Sequence, residues 1–364
     1  MFSDIKYRIG RESSLLTLFT KLILTFFNYC YLGEFPFPPI SKSLRKGIPI
    51  LFAPAIITGC SKSVFPQTEE VVTPHLSSKS ISISHFGYGS TLDILTFNDD
   101  RLQRLDSYQR IEDFDGSRAH AESTEGDKII FLYSGSQKGL YSWADICSYS
   151  SLRKIKCDLE KETRESPSMT GVCRCNAGTQ GVELEMTPLT CEIIVGHLKC
   201  DFSGKPYAGE SIHNAKIYLT NVNATSSLLE DSTSQTTRLI NAGLLNEFDI
   251  RNFRDRSMIV QNAATELTEG GTHQDTPLLC YSNKGDATRN TRLVIEGEIE
   301  GEKYYWPIEV NNGKGVYRGH RYIYNITIRR KGVSDPDSIL EPLAADIKFD
   351  IRKWQEKEEY QVGF

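Results

Sequence analysis

The most reactive side chains in this sequence are nine cysteines, because a thiolate can act as a nucleophile, a metal ligand or a disulfide partner. Cys173 and Cys175 are separated by one residue, which would place both thiols on one face of a strand. A second pair at zinc-finger spacing is missing, so we interpret them as buried thiols or disulfide partners. The cysteines that follow Cys60 are odd in number, and the sequence alone does not assign their connectivity.

Histidine and carboxylate side chains could carry acid–base or metal chemistry, but their spacing argues against it. The seven histidines occur singly, with no pair at helical metal-ligand spacing. Asp113-x-Asp115-Gly116 is similar to part of a calcium loop but lacks the further oxygen ligands, so we interpret it as a solvated acidic turn. Nucleophile-elbow, zincin, P-loop and dinucleotide-binding motifs are absent from the sequence. We therefore predict no catalytic residue, no metal, no cofactor and no enzyme activity.

One cysteine near the N-terminus indicates a different chemistry, the attachment of lipid. Lys42, Arg45 and Lys46 precede an apolar run that ends in Ile57-Thr58-Gly59-Cys60. A basic segment, a short apolar segment and small residues are the parts of an export signal. The last four residues resemble the lipobox of bacterial lipoproteins, which implies that Cys60 becomes the lipidated N-terminus. Several acyl chains, such as palmitate, would hold the protein stably in a membrane.

Residues 1–59 are interpreted as a signal or leader region and are excluded from the fold. An aromatic-rich apolar stretch, residues 15–32, is a candidate membrane segment upstream of the export signal. Two export-like segments in series are redundant, because one is sufficient for export. We therefore interpret residues 1–43 as sequence that precedes the true start of translation, with the start site assigned too far upstream. Residues 60–80 are rich in Ser, Thr, Pro and Glu, which predicts a tether or a removable N-terminal strand.

The composition favours a folded all-β protein. Hydrophobic residues make up 39% of the chain and charged residues 24%, which is ordinary for globular proteins. The 17 Tyr, 17 Phe, 27 Gly and 14 Pro suit strands and turns better than long helices. A net charge of −5 lacks the positive surplus that a phosphate backbone requires, so nucleic acid is excluded as a partner.

The alternation of apolar and polar residues predicts strands along the rest of the chain. Residues 143–163 instead predict a helix with irregular apolar spacing. A polar stretch over residues 223–237 is predicted to separate two β-sandwich domains, residues 81–223 and 224–364. Pro307 cannot donate to a sheet ladder, so its strand is predicted to lie at an edge or to carry a bulge. The predicted strands include residues 92–97, 128–133, 182–186, 191–195, 215–222, 292–299, 303–310, 322–329 and 347–352.

Together with the lipobox, these strands resemble the fimbrillin superfamily, which comprises the lipoprotein-derived pilins of type V pili and their minor anchor and tip subunits. The resemblance implies two tandem transthyretin-like (Greek-key) β-sandwiches, a location on the cell surface and outer membrane, and polymerisation with other fimbrial subunits by donor-strand exchange. The residues that carry it are Leu92-Asp93-Ile94-Leu95-Thr96-Phe97, Met186-Thr187-Pro188-Leu189, the segments 217–223 and 319–328, and the closing strand that ends at Trp354.

The resemblance also implies which segments are cut and exchanged. In stalk subunits of the family, an Arg- or Lys-directed protease removes the N-terminal strand, and the basic residues at the matching position are Lys79 and Lys62. Both can equally be solvated lysines, in which case the protein stays lipidated and resembles an anchor. Residues 343–364 are the candidate donor strand or, alternatively, a native edge strand. The apolar donor residues would be Ile347, Phe349, Ile351 and Trp354.

A second hypothesis is a stand-alone surface lipoprotein that binds a host glycan or a host protein. In that case Tyr304, Tyr305 and Trp306 would form an exposed platform for stacking. Aromatic residues at strand spacing more often belong to a core. A hydrolase on a β scaffold has no motif in its support.

Overall fold

The computed structural model describes residues 77–84, 91–135, 137, 143–229, 238–285, 289–338 and 345–353. The predicted leader, Cys60, Lys62 and Trp354 lie outside these residues. More than half of the described residues form strands and the helical segments are short, so the predicted all-β fold class is confirmed. Within the same residues, no helix is both long enough and apolar enough to cross a membrane.

The strands of the described residues are numbered in chain order. They are β1 (Ser77–Ser84), β2 (Leu92–Asn98), β3 (Leu105–Ile111), β4 (Arg118–Ser123), β5 (Lys128–Ser134), β6 (Lys156–Asp158), β7 (Met169–Cys175), β8 (Gly181–Glu185), β9 (Thr187–Pro188), β10 (Thr190–Cys200), β11 (Ile212–Thr220), β12 (Val222–Asn223), β13 (Thr225–Ser227), β14 (Leu239–Ile240), β15 (Val260–Leu267), β16 (Thr272–Tyr281), β17 (Arg292–Ile299), β18 (Glu302–Glu309), β19 (His320–Ile328) and β20 (Ala345–Lys353). The helical segments are α1 (Glu247–Ile250) and 3-10 turns at Trp143–Asp145, Tyr149–Lys154, Leu159–Lys161, Arg256–Met258 and Val310–Gly313.

The first half of the fold pairs a three-stranded sheet, in the order β4-β1-β8, with a five-stranded sheet, β3-β2-β5-β7-β9. A small apolar core lies between them, where Ile81 and Ile83 of β1 belong to the same cluster as Ile94 and Leu132. Strand β5 is buried along its whole length, as its apolar sequence predicts. Its opposite face, with Phe131, belongs to a second and larger core.

The second half pairs two four-stranded sheets, in the orders β16-β10-β19-β20 and β15-β11-β17-β18. The larger core contains inward-facing residues of both sheets, such as Ile193, Tyr324 and Leu293. Strands β17 and β18 form an antiparallel hairpin, and Glu300 and Gly301 adopt positive φ at its turn. Strand β18 lies at a sheet edge, which confirms the prediction from Pro307.

The boundary between the two halves of the fold does not lie where the sequence predicted it. Strands β10 and β11, which were predicted to belong to a domain of residues 81–223, pair with β16, β19, β15 and β17 in the second half. The chain changes sheets between Pro188, in β9, and Thr190, in β10. The polar stretch after residue 223 includes β13, which pairs back with β6. The change of sheets therefore lies at residues 188–190 and not in the polar stretch after residue 223.

The helix predicted over residues 143–163 is also wrong. The segment forms three separate 3-10 turns and the short strand β6. Its apolar residues have no helical spacing, and they belong to the larger core together with Phe131 of the five-stranded sheet. The ring of Trp143, for example, lies edge-on to Phe131 with centroids 6.5 Å apart. Packing against a sheet has therefore decided the local structure, and the sequence alone did not reveal it.

Candidate functional site

The central strand of the three-stranded sheet, β1, is the feature most directly connected with the predicted strand exchange. It pairs antiparallel with β4 and parallel with β8. Lys79, Ile81 and Ile83 are buried, whereas the serines between them are exposed or half-buried. Strand β1 therefore completes both the hydrogen bonding of its two neighbours and the floor of the small core.

Lys79, a predicted processing residue, lies in the middle of β1 and is only 2% exposed. Its ammonium donates to the carbonyl oxygens of Thr179 at 2.9 Å, Asn176 at 3.3 Å and Ala177 at 3.4 Å. These carbonyls belong to the loop between β7 and β8, which closes over the side chain. A buried charge needs such partners because it has lost its water. The prediction that Lys79 is a solvated lysine is therefore wrong, and a protease cannot reach its side chain in this conformation.

The candidate donor segment forms β20, whose nine residues pair in antiparallel register with β19. This strand is the edge of its sheet among the described residues. The register pairs residues 347, 349 and 351 with Ile326, Tyr324 and Tyr322 respectively. Ile351 is 40% exposed, whereas the neighbouring Arg352 is buried. In this conformation the segment is a native edge strand.

Two clusters of polar side chains appear that the sequence did not predict. Glu162 is fully buried and accepts hydrogen bonds from the Tyr281 hydroxyl at 2.6 Å, the Gln137 amide at 2.6 Å and the Ser168 backbone N–H at 2.9 Å. Burial raises the pKa of its carboxyl, while these hydrogen bonds act in the opposite direction. The contacts join β16 to the residues before β7, so Glu162 connects the two halves of the fold. No local motif marks it, because Gln137 and Tyr281 are remote from it in sequence.

The histidine rings of His197 and His273 form the second cluster, with centroids 4.8 Å apart on neighbouring strands β10 and β16. His273 Nδ1 lies 2.5 Å from the carbonyl oxygen of Gly196. Burial, and then the charges of His273 and Lys199, lower the pKa of His197. Among the described residues, no group of three or more His, Cys, Asp or Glu side chains could hold a metal ion.

The structure also places the other residues that the sequence analysis named as candidates. Asp115 accepts hydrogen bonds from the backbone N–H and hydroxyl of Ser117, as expected for an acidic turn. None of the seven described cysteines is in a disulfide. Trp306 is fully buried, and its indole N–H donates to the Arg330 carbonyl oxygen at 3.0 Å. The hypothesis of an exposed platform that includes Trp306 is therefore wrong, because this ring belongs to the core.

Comparison with known proteins identifies the fold. No protein-family model matches the chain, and no curated protein matches its sequence. A candidate cell adhesion protein from Bacteroides eggerthii superposes with a TM-score of 0.59 at 13% identity, covering 76% of this chain and 96% of that one. A fimbrilin from Porphyromonas gingivalis gives a TM-score of 0.59 at 12% identity, with coverages of 76% and 97%. A candidate cell adhesion protein from Parabacteroides distasonis gives 0.54 at 12% identity, with coverages of 78% and 98%.

These similarities define the class of fold. The chain has the β-sandwich fold of bacterial fimbrilins and of the cell adhesion proteins related to them in structure. The resemblance to the fimbrillin superfamily inferred from the sequence is confirmed at the level of the fold. At identities of 12–13%, the comparison concerns architecture, and the function has to be argued from the strands themselves.

Proposed function

We propose that this protein is a non-enzymatic structural subunit of a cell-surface fimbria that assembles by exchange of β-strands between subunits. The observation that carries the proposal is the position of β20 at the edge of its sheet, from which it could be donated to a neighbouring subunit. The position of β1 between β4 and β8 indicates the kind of groove that such a strand would fill in a neighbour of the same fold. The solved structures that share the fold include a fimbrilin, which agrees with this role.

The position of β1 matters because its absence would leave two unpaired strand edges beside an apolar groove. Strands β4 and β8 would each present unpaired N–H and C=O groups, and the floor would include Ile94 and Leu132. An extended segment from another subunit would satisfy both edges through main-chain hydrogen bonds. Apolar side chains at alternate positions would replace Ile81 and Ile83 and set the register.

Strand β20 is the proposed donor. It is the last described strand, it lies at a sheet edge, and its residues 347, 349 and 351 are apolar at alternate positions. It can leave β19 without dividing the sheet, because the other three strands remain paired with one another. In the assembled fimbria, β20 would occupy the groove of a neighbouring subunit, and the first sandwich would keep its own fold.

We further propose that this subunit keeps its own β1 and acts as a lipidated anchor or minor subunit. Cleavage after Lys79 would remove only the first three of the eight residues of β1. The sequence has no Lys or Arg between residues 79 and 101, so a protease specific for basic residues has no site that would release the whole of β1 and leave β2 in place. An uncut chain keeps the folded body attached to the lipid on Cys60, at the outer membrane.

The test uses protein from its native cells and two C-terminal truncations. Deletion of residues 343–364 removes β20, whereas deletion of residues 355–364 removes only the charged tail and serves as the control. We expect wild type and the control to give heat-labile complexes with other fimbrial subunits, and the longer deletion to give none. Wild-type complexes after the longer deletion would overturn the donor role.

Two further measurements exclude a folding defect as the explanation and test the anchor assignment. A photo-crosslinking residue in place of the half-exposed Ile351 should join a neighbouring subunit in the full-length protein, which excludes a trivial folding defect. Crosslinks found only within the chain would contradict strand exchange. The mass of the N-terminal peptide should show a lipidated Cys60, and an N-terminus just after Lys79 would overturn the anchor assignment.

A further inference from the structure

Two cysteines that are remote in sequence face each other across neighbouring strands. Cys191 lies on β10 and Cys280 on β16, and the antiparallel register pairs these two residues directly. Both side chains are fully buried. Directly opposed residues in antiparallel strands have Cα atoms about 4.5 or 5.5 Å apart. A disulfide spans Cα separations of about 4.4–6.8 Å, so both spacings are suitable.

The other described cysteines lack this geometry. Cys173 and Cys175 lie two residues apart on one extended strand, where Cα separations approach the upper limit for a disulfide. The Cys200 thiol donates to the Leu267 carbonyl oxygen at 3.0 Å. Within the described strands, only Cys191 and Cys280 are matched by register. The structure therefore selects one pair from a set of cysteines whose connectivity the sequence left open.

We propose that Cys191 and Cys280 form a cross-strand disulfide when the chain folds in an oxidising compartment. The thiolate of one cysteine attacks the disulfide of an oxidant, either an exported dithiol oxidase or oxidised glutathione, and one thiol of the oxidant is released. The thiolate of the second cysteine then attacks the mixed disulfide and releases the other thiol. Two electrons and two protons pass to the oxidant, and one S–S bond forms in the protein.

The timing of this step follows from burial. Once β10 and β16 have paired, both thiols are sealed in the larger core, where a buried thiol is poorly ionised and inert. The exchange therefore takes place during folding, before the core closes. The inference rests on the export assumed in the proposed function, but it does not depend on strand exchange.

The disulfide would strengthen the sheet that also contains the proposed donor. Strand β16 is one edge of this sheet and β20 is the other. A bond between β10 and β16 closes a loop of roughly 90 residues, and long loops gain the most from closure in the chain-entropy model. The disulfide would hold β16 in the sheet, while β20, at the other edge, could still leave.

The test is a disulfide map of the full chain purified from cells that export it. Thiols are alkylated under denaturing, non-reducing conditions before digestion with trypsin. We expect the peptides of residues 175–199 and 257–284 to be linked and to separate on reduction. The first peptide also contains Cys175, so Cys175→Ala serves as the control and should keep the link. Cys191→Ala and Cys280→Ala should each lose it.

A stability measurement provides a second readout. Reduction should lower the thermal midpoint of wild type and of Cys175→Ala by at least about 5 °C, and it should leave the midpoint of Cys191→Ala unchanged. Two separate, alkylated peptides from the exported protein would overturn the inference, as would a link that persists in Cys191→Ala. An intact link in protein that forms no fimbrial complexes would overturn the proposed function but leave this inference standing.

Discussion

The Lys79 ammonium donates a hydrogen bond to the Thr179 carbonyl oxygen at 2.9 Å, which fastens the middle of β1 to the loop between β7 and β8. Contacts with the carbonyls of Asn176 and Ala177 complete the arrangement. Removal of β1 from the sheet would break these bonds in addition to both strand ladders. A residue that the resemblance predicts as a candidate processing site therefore holds the middle of β1 in its sheet.

The burial of Lys79 predicts resistance to a lysine-specific protease. We expect the folded protein to be cut after the exposed Lys205 well before it is cut after Lys79, because a protease must bind its lysine side chain in an extended, accessible chain. Peptide masses sampled during digestion give the order of cleavage. The difference should disappear in urea, and earlier cleavage after Lys79 in native buffer would contradict the structure.

The contribution of β1 to stability can be measured with two neighbouring residues. Ile81 is fully buried, whereas Ser82 is exposed. We expect Ile81→Ala to lower the free energy of unfolding by about 2–5 kcal/mol, because it leaves a cavity in the small core. The control Ser82→Ala should change it by no more than about 0.5 kcal/mol. Urea unfolding measures both, and equal effects would mean that β1 is not packed as described.

Some strands could be predicted from the local sequence. Leu92–Asn98 and Lys128–Ser134 coincide with apolar runs, and His320–Ile328 coincides with an alternation of apolar and polar residues. Each of these strands begins and ends within two residues of the predicted positions. Strand order is not local. Neither the parallel pairing of β1 with β8 nor that of β10 with β19 has any counterpart in the spacing of residues.

The polar clusters could not be predicted from the sequence either, because they depend on the order of the strands. Glu162 meets Tyr281, and Cys191 meets Cys280, only because β16 returns beside residues from much earlier in the chain. A buried carboxylate and an exposed one look identical in a sequence. The histidines that were predicted to be isolated also come together in this way, as the close approach of the His197 and His273 rings illustrates.

The buried carboxyl of Glu162 predicts a pH dependence of stability. Burial raises its pKa in the folded state above the ordinary value of 4.5, so the folded protein holds this proton more tightly than the unfolded chain does. The contribution of Glu162 to stability is therefore complete below about pH 4.5, declines as pH rises through the folded pKa, and is constant above it. Each tenfold increase in the proton affinity of the carboxyl on folding corresponds to about 1.4 kcal/mol of this contribution.

Glu162→Gln tests this sign. The variant cannot titrate at this position, so the difference between its free energy of unfolding and that of wild type should shift in favour of the variant as pH rises above 4.5. The control Glu165→Gln changes an exposed residue nearby and should preserve the wild-type profile. Denaturant unfolding at a series of pH values measures both. Parallel curves for wild type and Glu162→Gln would show that the Glu162 carboxyl is not titrating as described.

The close approach of β7 to β8 depends on Gly171, and nothing in the local sequence explains a glycine at this position. A Cβ added at Gly171 would lie 2.0 Å from Leu184 Cδ2 and 2.8 Å from the Glu185 carbonyl oxygen. The backbone of β8 would have to move away, and β8 is the parallel partner of β1. Gly178, in the loop between the two strands, has no atom within 4 Å of the same position.

These two glycines therefore form a matched pair. We expect Gly171→Ala to lower the free energy of unfolding by about 1–3 kcal/mol through overpacking. Gly178→Ala should be neutral, or stabilising by up to about 1 kcal/mol, because alanine restricts the unfolded chain. If β8 holds β1 as described, hydrogen exchange of the β1 amides should also accelerate in Gly171→Ala and not in Gly178→Ala. If Gly171→Ala is destabilised but the β1 amides exchange at the wild-type rate, then β8 does not hold β1 in place. The two strands could then not be treated as parts of one groove.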